Sequence, residues 1–438
     1  MALFGTSGIR GPVGETVTAD LALSLGRALG VDCARVVVGR DPRASGEFLR
    51  SALVAGLCES GTDVVDLGVA ATPTVGRAVG WREADAGVSI TASHNPPEDN
   101  GLKLWQPSGQ AFDGEGQTRI EDRIASGAFE PAAWDGSGSK ETWNARPRHA
   151  EAIRSELDRP SMDSRVIVDV GNGAGGVTVD VLQSMGCHVE TLNAQPDGAF
   201  PGRPSEPTPE HCQSLATLVA ESDADIGIAH DGDADRMRAV AGDGTYLTGD
   251  VTLALFARAA AESGQRVAVP VDTSLVVADY LAEIDVGVEY TPVGDVYVAE
   301  AASAPDVAFG GEPSGAWIWP DYTLCPDGPL AACTIATLDA DRPLVERIAE
   351  VPTYPIRRDS VDVESKAAVM DRVREGVLAD YDDVTTTDGV RVDLGDAWFL
   401  LRASGTQSLV RVTAEARDEA RADEVLETAR NCLAGARE

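Results

Sequence analysis

Apolar and polar positions alternate along this chain in blocks that read as a strand, a turn and a helix, repeated. Arg35-Val36-Val37-Val38-Gly39 is a short apolar run closed by the polar turn Arg40-Asp41-Pro42-Arg43, and it predicts a buried strand. Phe48–Glu59 carries its apolar residues at helical spacing, and Asp63–Gly68 returns to strand character. A further apolar run, Ala86–Ile90, leads into Thr91-Ala92-Ser93-His94-Asn95-Pro96, a small polar loop stopped by two prolines. The small, polar segment 135–150 reads as a linker. The pattern restarts at 165–170, where a strand runs into the glycine-rich turn Gly171-Asn172-Gly173-Ala174-Gly175-Gly176 and then a helix. A third run spans 249–350, with strands at Arg266–Pro270 and Val307–Gly310. The last stretch, 351–438, differs: short alternating strands (Val390–Leu394, Ala397–Arg402, Leu409–Ala414) lie between helices at Ser365–Ala379 and Asp418–Ala434. Three α/β units followed by a smaller α+β unit is the predicted organisation, and 438 residues are too many for one core.

Charge narrows the partners. With 71 acidic against 36 basic residues the formal net charge is −35, which disfavours nucleic acid and anionic membranes. A hydrophobic content of 43% is too high for a disordered acidic chain, so the balance reads as adaptation to high salt and a salt-accumulating source. Only three basic residues are lysines (Lys103, Lys140, Lys366), so a lysine inside a chemically suggestive run carries extra weight. The seven cysteines are dispersed and include no Cys-x-x-Cys pair, which argues against a zinc ribbon and a disulfide framework. No apolar stretch reaches membrane-spanning length and the first residues are not those of a signal peptide; a soluble, cytoplasmic protein is expected.

Five runs carry candidate chemistry. Ser93 stands on a tight loop at a strand end, where a scaffolded hydroxyl suits covalent chemistry; alone, the run is also an ordinary polar turn. After the apolar strand Ile226–Ala229, His230-Asp231-Gly232-Asp233-Ala234-Asp235-Arg236 places three carboxylates at alternating positions, a natural nest for a hard cation or an exposed acidic turn. An EF-hand is excluded, because Arg236 and Gly242 stand where its loop needs Gly and Glu. Phe4–Gly11 brings amides, hydroxyls and Arg10 together in a pattern suited to an anion. Gly310-Gly311-Glu312-Pro313-Ser314-Gly315 puts a carboxylate and a hydroxyl on a glycine turn, fit for sugar hydroxyls or for nothing more than a turn. Arg402-Ala403-Ser404-Gly405-Thr406, with Arg411 on the next strand, reads as a phosphate cradle. The glycine-rich turn at 171–176 reads as a close strand-to-helix connection, with nucleotide binding the lesser reading.

In this order the runs resemble the α-D-phosphohexomutase superfamily from Phe4 through Arg411. The resemblance rests on Thr91–Pro96 with Asn100-Gly101-Leu102-Lys103-Leu104, on Asp231–Arg236, on Gly310–Gly315 and on Arg402–Thr406. Supporting matches are Gly39–Arg43, Phe200-Pro201 with Glu206-Pro207, and Thr291-Pro292-Val293-Gly294-Asp295. It implies an α/β fold of four domains around a central cleft, three related mixed-sheet α/β domains and a smaller C-terminal α+β domain, at 1–148, 149–247, 248–350 and 351–438. It also implies a phosphoserine at Ser93, and one Mg²⁺ held by Ser93, Asp231, Asp233 and Asp235. Lys103, His94 and Arg10 would serve proton transfer and charge stabilisation, with Lys103 the expected general acid/base under a pKa lowered by nearby arginines. Glu312 and Ser314 would meet the sugar, and Arg402, Ser404, Gly405, Thr406 and Arg411 a phosphate.

The implied reaction moves a phosphoryl group between O6 and O1 of a hexose phosphate through a hexose 1,6-bisphosphate, in a monomer or homodimer whose partner is a small-molecule sugar phosphate. The segment 311–318 with Cys325-Pro326-Asp327-Gly328 looks most like archaeal phosphoglucosamine mutases, which points to glucosamine 6-phosphate; phosphomannomutase, phosphoglucomutase and phosphopentomutase activities share the same machinery. A metal-dependent phosphatase and a non-catalytic metal-binding protein are the readings from other classes. Three departures stand out: Ala316 replaces a common His, Gln407-Ser408 follow the cradle in place of Glu-Pro, and Ala44-Ser45-Gly46 replaces a commoner Ser-Ser ending.

Overall fold

A computed structural model of the chain describes residues 3–5, 7–159, 161–404 and 409–436. The first α/β pattern forms a six-stranded mixed sheet of β1 (Ile9–Pro12), β2 (Arg35–Arg40), β3 (Asp63–Val69), β4 (Ala86–Ile90), β5 (Asp99–Trp105) and β6 (Lys140–Thr142), ordered β1-β5-β4-β2-β3-β6. Strands β2, β3, β4 and β6 are mutually parallel, while β5 runs against both β4 and β1. All five residues of β4 are buried, as its small and mostly apolar run suits a central strand; the one polar side chain, Ser89, accepts from the Trp105 indole (2.9 Å). Helices Ala19–Gly30 and Gly46–Glu59 cross on this sheet at Gly26 and Gly56, where a Cβ on either would stand 2.3 Å from a carbonyl oxygen of the other helix. Glycine is therefore a packing requirement at that crossing.

The segment 135–150, expected to be a linker, is structured. Lys140–Thr142 pairs with β3 as an edge strand, and the helix Arg146–Leu157 begins before the segment ends. All three residues of β6 are exposed, so its side chains carry no apolar signal and only its backbone reveals it.

The second pattern forms β7 (Arg165–Asp169), β8 (His188–Leu192), β9 (Ile226–His230) and β10 (Met237–Ala241) in the order β10-β9-β7-β8, with β10 antiparallel to β9. In the third, β11 (Arg266–Pro270) lies between its parallel neighbours β12 (Gly287–Thr291) and β13 (Val307–Gly311). A two-residue strand, β14 (Trp317–Ile318), follows. The C-terminal sheet is antiparallel and five-stranded: β15 (Ile356–Asp362), β16 (Val384–Thr385), β17 (Val390–Asp393), β18 (Ala397–Ala403) and β19 (Leu409–Ala416), ordered β15-β19-β18-β17-β16. Helices Lys366–Asp380 and Glu419–Gly435 cover the face that carries Phe399, Leu401, Val410 and Val412. The fold is thus three α/β domains and a smaller C-terminal α+β domain.

Contacts divide the chain into two units, Met1–Thr252 with Ser314–Ile348 and Leu253–Pro313 with Ala349–Glu438. Inside the second unit the third and fourth domains share a buried latch. The Arg391 guanidinium is sandwiched between the rings of Tyr290 (4.4 Å) and Trp398 (4.1 Å) and donates to the carbonyls of Val271 and Thr273. Beside it the buried Glu415 carboxylate accepts from the Ser274 hydroxyl (2.5 Å), the Leu275 amide (2.7 Å) and the Trp398 indole (2.6 Å).

Candidate active site

The loop after β4 turns sharply at Ser93, whose φ of +49° lies in the left-handed region. A serine there costs about 1–2 kcal/mol, so its surroundings must hold it. The Thr91 hydroxyl accepts from the Ser93 amide (2.8 Å) and donates to the Asp41 carboxylate (2.7 Å). Arg43, wholly buried, pairs with Asp41 (2.9 Å) and donates to the carbonyls of Ser93 (2.8 Å), Asn95 (2.6 Å), Asp99 (2.9 Å) and Pro96. One guanidinium thus grips the loop at four points, and the Phe200 ring lies 5.0 Å from it. This accounts for two runs with no assigned role, Gly39–Arg43 and Phe200-Pro201. They carry no catalytic group and shape the serine loop.

The three aspartates follow β9 on a turn that includes Ala234 at φ +56°. The Ser93 hydroxyl donates to Asp231 Oδ2 at 2.5 Å, and stands 3.4 Å from both Asp235 Oδ1 and His94 Nδ1. Ser205 ties the two loops, its hydroxyl donating to the Ser93 carbonyl (2.8 Å) and accepting from the Gly232 amide (3.0 Å). The glycine turn after β7 fits underneath. A Cβ on Gly173 would stand 2.6 Å from the Gly232 carbonyl oxygen and 2.8 Å from that of Asp231, and one on Gly175 would meet the His230 ring at 2.9 Å. The turn is a bed for the aspartate loop, in keeping with a close connection. His230, fully buried, is bonded to the Thr178 hydroxyl (2.7 Å) and the Arg236 carbonyl (2.9 Å), closing the loop from behind.

Asp231, Asp233 and Asp235 are buried, and one carboxylate oxygen of each lies within 4.8 Å of the others. Burial first, and then repulsion from the neighbouring aspartates, raises the carboxyl pKa of Asp231 and Asp235, so a bound cation would be favoured there. Asp233 Oδ1 is buried with no hydrogen-bond partner among the described residues. Three hard oxygen donors, one of them orphaned, fit a divalent cation such as Mg²⁺. Around them, burial and then the charges of Arg236, Arg10 and Arg43 push the His94 imidazole down to about 3, so it is neutral at pH 7. Lys103 is buried opposite Ser89 on β5, its ammonium 4.7 Å from the Trp105 ring, and its charge together with that of Arg10 favours the ionised Asp235. Arg10 faces Gly101 across the β1–β5 ladder, and its Nε is buried without a partner among the described residues.

Ser314 precedes Gly315, whose carbonyl accepts from the Met237 amide (3.1 Å), so that turn packs on the strand leaving the aspartate loop. Ala316 forms an isolated antiparallel bridge with Arg236 and brings no titratable side chain there. Gly328 backs onto the same loop, where a Cβ would stand 2.6 Å from the carbonyl oxygens of Ala234 and Arg236. The Cys325–Gly328 segment, used above to judge the sugar, therefore buttresses the aspartates.

In the second unit, Glu312 is buried and accepts from the Gly294 amide (2.9 Å), which gives the Thr291–Asp295 turn a purpose. Arg402 and Arg411 face each other across β18 and β19, and Arg402 pairs with Asp388 (3.0 Å). They line a cavity of about 330 Å³ together with Arg358, Ser360 and Asp272. Three guanidinium groups converge on this cavity, partly offset by Asp388, Asp272 and Asp359, an arrangement able to take an anion. Arg358, on β15, was not singled out from the sequence, because it sits in a mixed-charge strand 44 residues before Arg402. Ser404, buried, follows directly on β18; Gly405 and Thr406, the rest of the expected cradle, lie outside the described residues, as do Gln407 and Ser408.

A serine hydroxyl over three convergent carboxylates, on a chain of three α/β domains and one α+β domain, places the protein in the phosphohexomutase superfamily. Within it the chain belongs to the phosphoglucomutase/phosphomannomutase family: residues 1–131, 147–244 and 248–354 match its α/β/α domains I, II and III, and residues 360–431 its C-terminal domain. It is 46% identical to a probable phosphoglucosamine mutase of Methanopyrus kandleri, covering 99% of each chain. It is 47% identical to another from Methanococcoides burtonii, again over 99% of each. A crystal structure of a phosphoglucomutase/phosphomannomutase family protein from Burkholderia thailandensis is similar, with a TM-score of 0.88, 29% identity, and coverage of 99% of this chain and 97% of that one. No described helix is long and apolar enough to cross a membrane.

Proposed function

We propose that this protein is a phosphosugar mutase that converts glucosamine 6-phosphate to glucosamine 1-phosphate through a phosphorylated Ser93. The observation that carries the chemistry is the Ser93 hydroxyl held 2.5 Å from Asp231 in a pocket of three buried carboxylates. The choice of sugar rests on the relatives at 46% and 47% identity, which are named as phosphoglucosamine mutases. The salt-accumulating source rests on the net charge of −35 alone.

In the active form Ser93 would carry a phosphoryl group, and Asp231, Asp233 and Asp235 would hold Mg²⁺. The ion, when bound, neutralises charge on the phosphoryl oxygens and so lowers the barrier to transfer. The free hydroxyl oxygen of a hexose monophosphate attacks the Ser93 phosphorus, the P–O bond to Ser93 Oγ breaks, the sugar hydroxyl gives its proton to a neighbouring base, and Ser93 Oγ takes up a proton to become a hydroxyl again. Lys103 is the group assigned that proton, a role it could fill only as the neutral amine, with Arg10 stabilising charge and neutral His94 able to accept a hydrogen bond at the same place. The product is the 1,6-bisphosphate. Return of its other phosphoryl group to Ser93 releases the isomerised monophosphate and regenerates the enzyme. Glu312 and Ser314 bind sugar hydroxyls, while Arg402, Arg411 and Arg358 bind phosphate.

An aspartyl phosphatase is the weaker reading, because the candidate nucleophile Asp231 is engaged by the Ser93 hydroxyl and by the Arg236 amide. The deciding experiment incubates the purified protein with Mg²⁺ and a 1,6-bisphosphate primer on glucosamine, glucose and mannose 6-phosphates, and weighs the intact chain. Isomerisation fastest on glucosamine 6-phosphate, with one phosphoryl group on Ser93, is expected. Failure to isomerise any of the three, or a Ser93→Ala chain that retains full turnover, would overturn the proposal.

A further inference from the structure

The first α/β domain reaches the aspartate loop by a second route, separate from Ser93. Helix Thr72–Trp81 starts against that loop with no side-chain cap from Ala71. Instead the Thr72 amide donates to the Asp233 carbonyl (2.9 Å), and the Thr72 hydroxyl donates to Asp233 Oδ2 (2.6 Å). Thr72 and Asp233 are both buried, so neither bond competes with solvent. The two bonds differ in kind. The amide bond docks the helix on the loop, and any residue but proline can make it. The hydroxyl bond fixes the rotation of the Asp233 side chain, occupying one carboxylate oxygen and leaving Oδ1, the buried atom without a partner among the described residues.

A carboxylate that binds a cation through one oxygen is normally oriented by a donor on the other. From this we infer that Thr72 is a positioning residue for cation binding, holding Asp233 with Oδ2 tied and Oδ1 available. The inference rests on the reading of Asp231, Asp233 and Asp235 as a divalent-cation site. Without the hydroxyl, Asp233 is free to turn, and it loses the arrangement that makes three repelling carboxylates a preformed site. The same helix steadies the loop elsewhere through groups that never meet an aspartate of the trio: Arg77 pairs with Asp327 (2.6 Å), and Thr74 with His149 (2.8 Å), which in turn meets Asp327 (3.0 Å) just before Gly328. These contacts do not involve Thr72 and should persist when it alone is changed, so a Thr72 substitution tests the carboxylate's orientation apart from the docking of the helix.

The test is Mn²⁺ binding to the full chain, followed by electron paramagnetic resonance, in Thr72→Val, Thr72→Ser and Asp231→Asn variants. Val keeps the shape and the amide bond but not the hydroxyl; Ser keeps both bonds. Thr72→Val should weaken Mn²⁺ binding by about 10-fold or more, the range found when a ligand's outer partner is removed. Thr72→Ser should stay close to the parent in binding and in metal-free melting temperature, whereas Thr72→Val, which leaves a buried carboxylate oxygen unpaired, should also melt below it. If Thr72→Val does not fold, Thr72→Ala serves with the same expectation. A parent that binds Mn²⁺, loses it in Asp231→Asn and is unaffected by Thr72→Val overturns the role of Thr72 alone. An equal loss in Thr72→Val and Thr72→Ser overturns it as well. A parent without a saturable Mn²⁺ site, or one indifferent to Asp231→Asn, removes the cation reading and this inference together.

Discussion

Replacing Arg43 by Met should separate the stability of the serine loop from its chemistry. Arg43 has no exposed surface, and its guanidinium serves one carboxylate and four carbonyls. Burial already lifts the Asp41 carboxyl above its ordinary range, against the opposing pull of Arg43 and Thr91. Removing the arginine leaves that carboxylate unpaired, a change that costs about 3–5 kcal/mol in buried pairs before protonation of Asp41 limits the loss. The four carbonyls would add more if none found water, so about 4 kcal/mol is a fair central value, near a third of the stability of an ordinary domain. At roughly 2–4 °C per kcal/mol the melting transition of the unit carrying Arg43 should fall by about 10 °C. Turnover should fall further than stability, because the left-handed Ser93 loses one of the two donors on its carbonyl. The double variant Asp41→Asn/Arg43→Met removes the stranded charge but not the missing clamp. It should therefore recover much of the melting temperature and little of the mutase rate. Differential scanning calorimetry and a coupled mutase assay on the parent, both single variants and the double variant give the comparison. An Arg43→Met protein that melts within about 1 kcal/mol of the parent and keeps its rate, or a double variant that recovers the rate, would refute the reasoning.

Three other outcomes are expected. Burial raises the Asp339 carboxyl from the ordinary 3.8 to about 6, so the folded state holds its proton longer than the unfolded one; the stability this group contributes is complete below pH 4 and lost as pH rises through 6. Asp339→Asn, which can still accept from the Leu344 amide, should melt above the parent at pH 7–8 and match it near pH 4, in a pH series of melting temperatures. Gly173→Ala should cut turnover by about 100-fold or more by driving a Cβ into the carbonyls of Asp231 and Gly232, whereas Gly114→Ala, with nothing within 4 Å, should leave the rate unchanged. With a net charge of −35, raising NaCl from about 0.1 M to about 1 M shortens the screening length from about 10 Å to about 3 Å and should raise the melting temperature; a flat or falling series would contradict the salt-adaptation reading.

What could be read in advance was set by local chemistry. Strands made mostly of small and apolar residues, such as Ala86–Ile90 and Arg266–Pro270, emerge with the expected bounds because burial on both faces favours that composition. Ser93 and the three aspartates announce themselves because a hydroxyl on a proline-stopped loop and three carboxylates in one turn are poorly explained by packing. Among the strands that escaped notice, Lys140–Thr142 and Ile356–Asp362 show side chains half-buried or exposed that read as loop, while Asp99–Trp105 and Met237–Ala241 are largely buried but interrupted by polar residues such as Asn100, Lys103 and Arg238. The groups that place the chemistry lie further still from any local signal. Arg43 reaches the serine loop across 50 residues and Thr72 reaches Asp233 across 161, distances over which one sequence carries no pairing information. Such residues look ordinary in the chain because their task is defined by the acceptor they meet and not by their neighbours. The reactive serine and the aspartates could therefore be named from the sequence, while the strain on Ser93, the orphaned oxygen of Asp233 and the donors that create both could be seen only once the fold had brought their elements together.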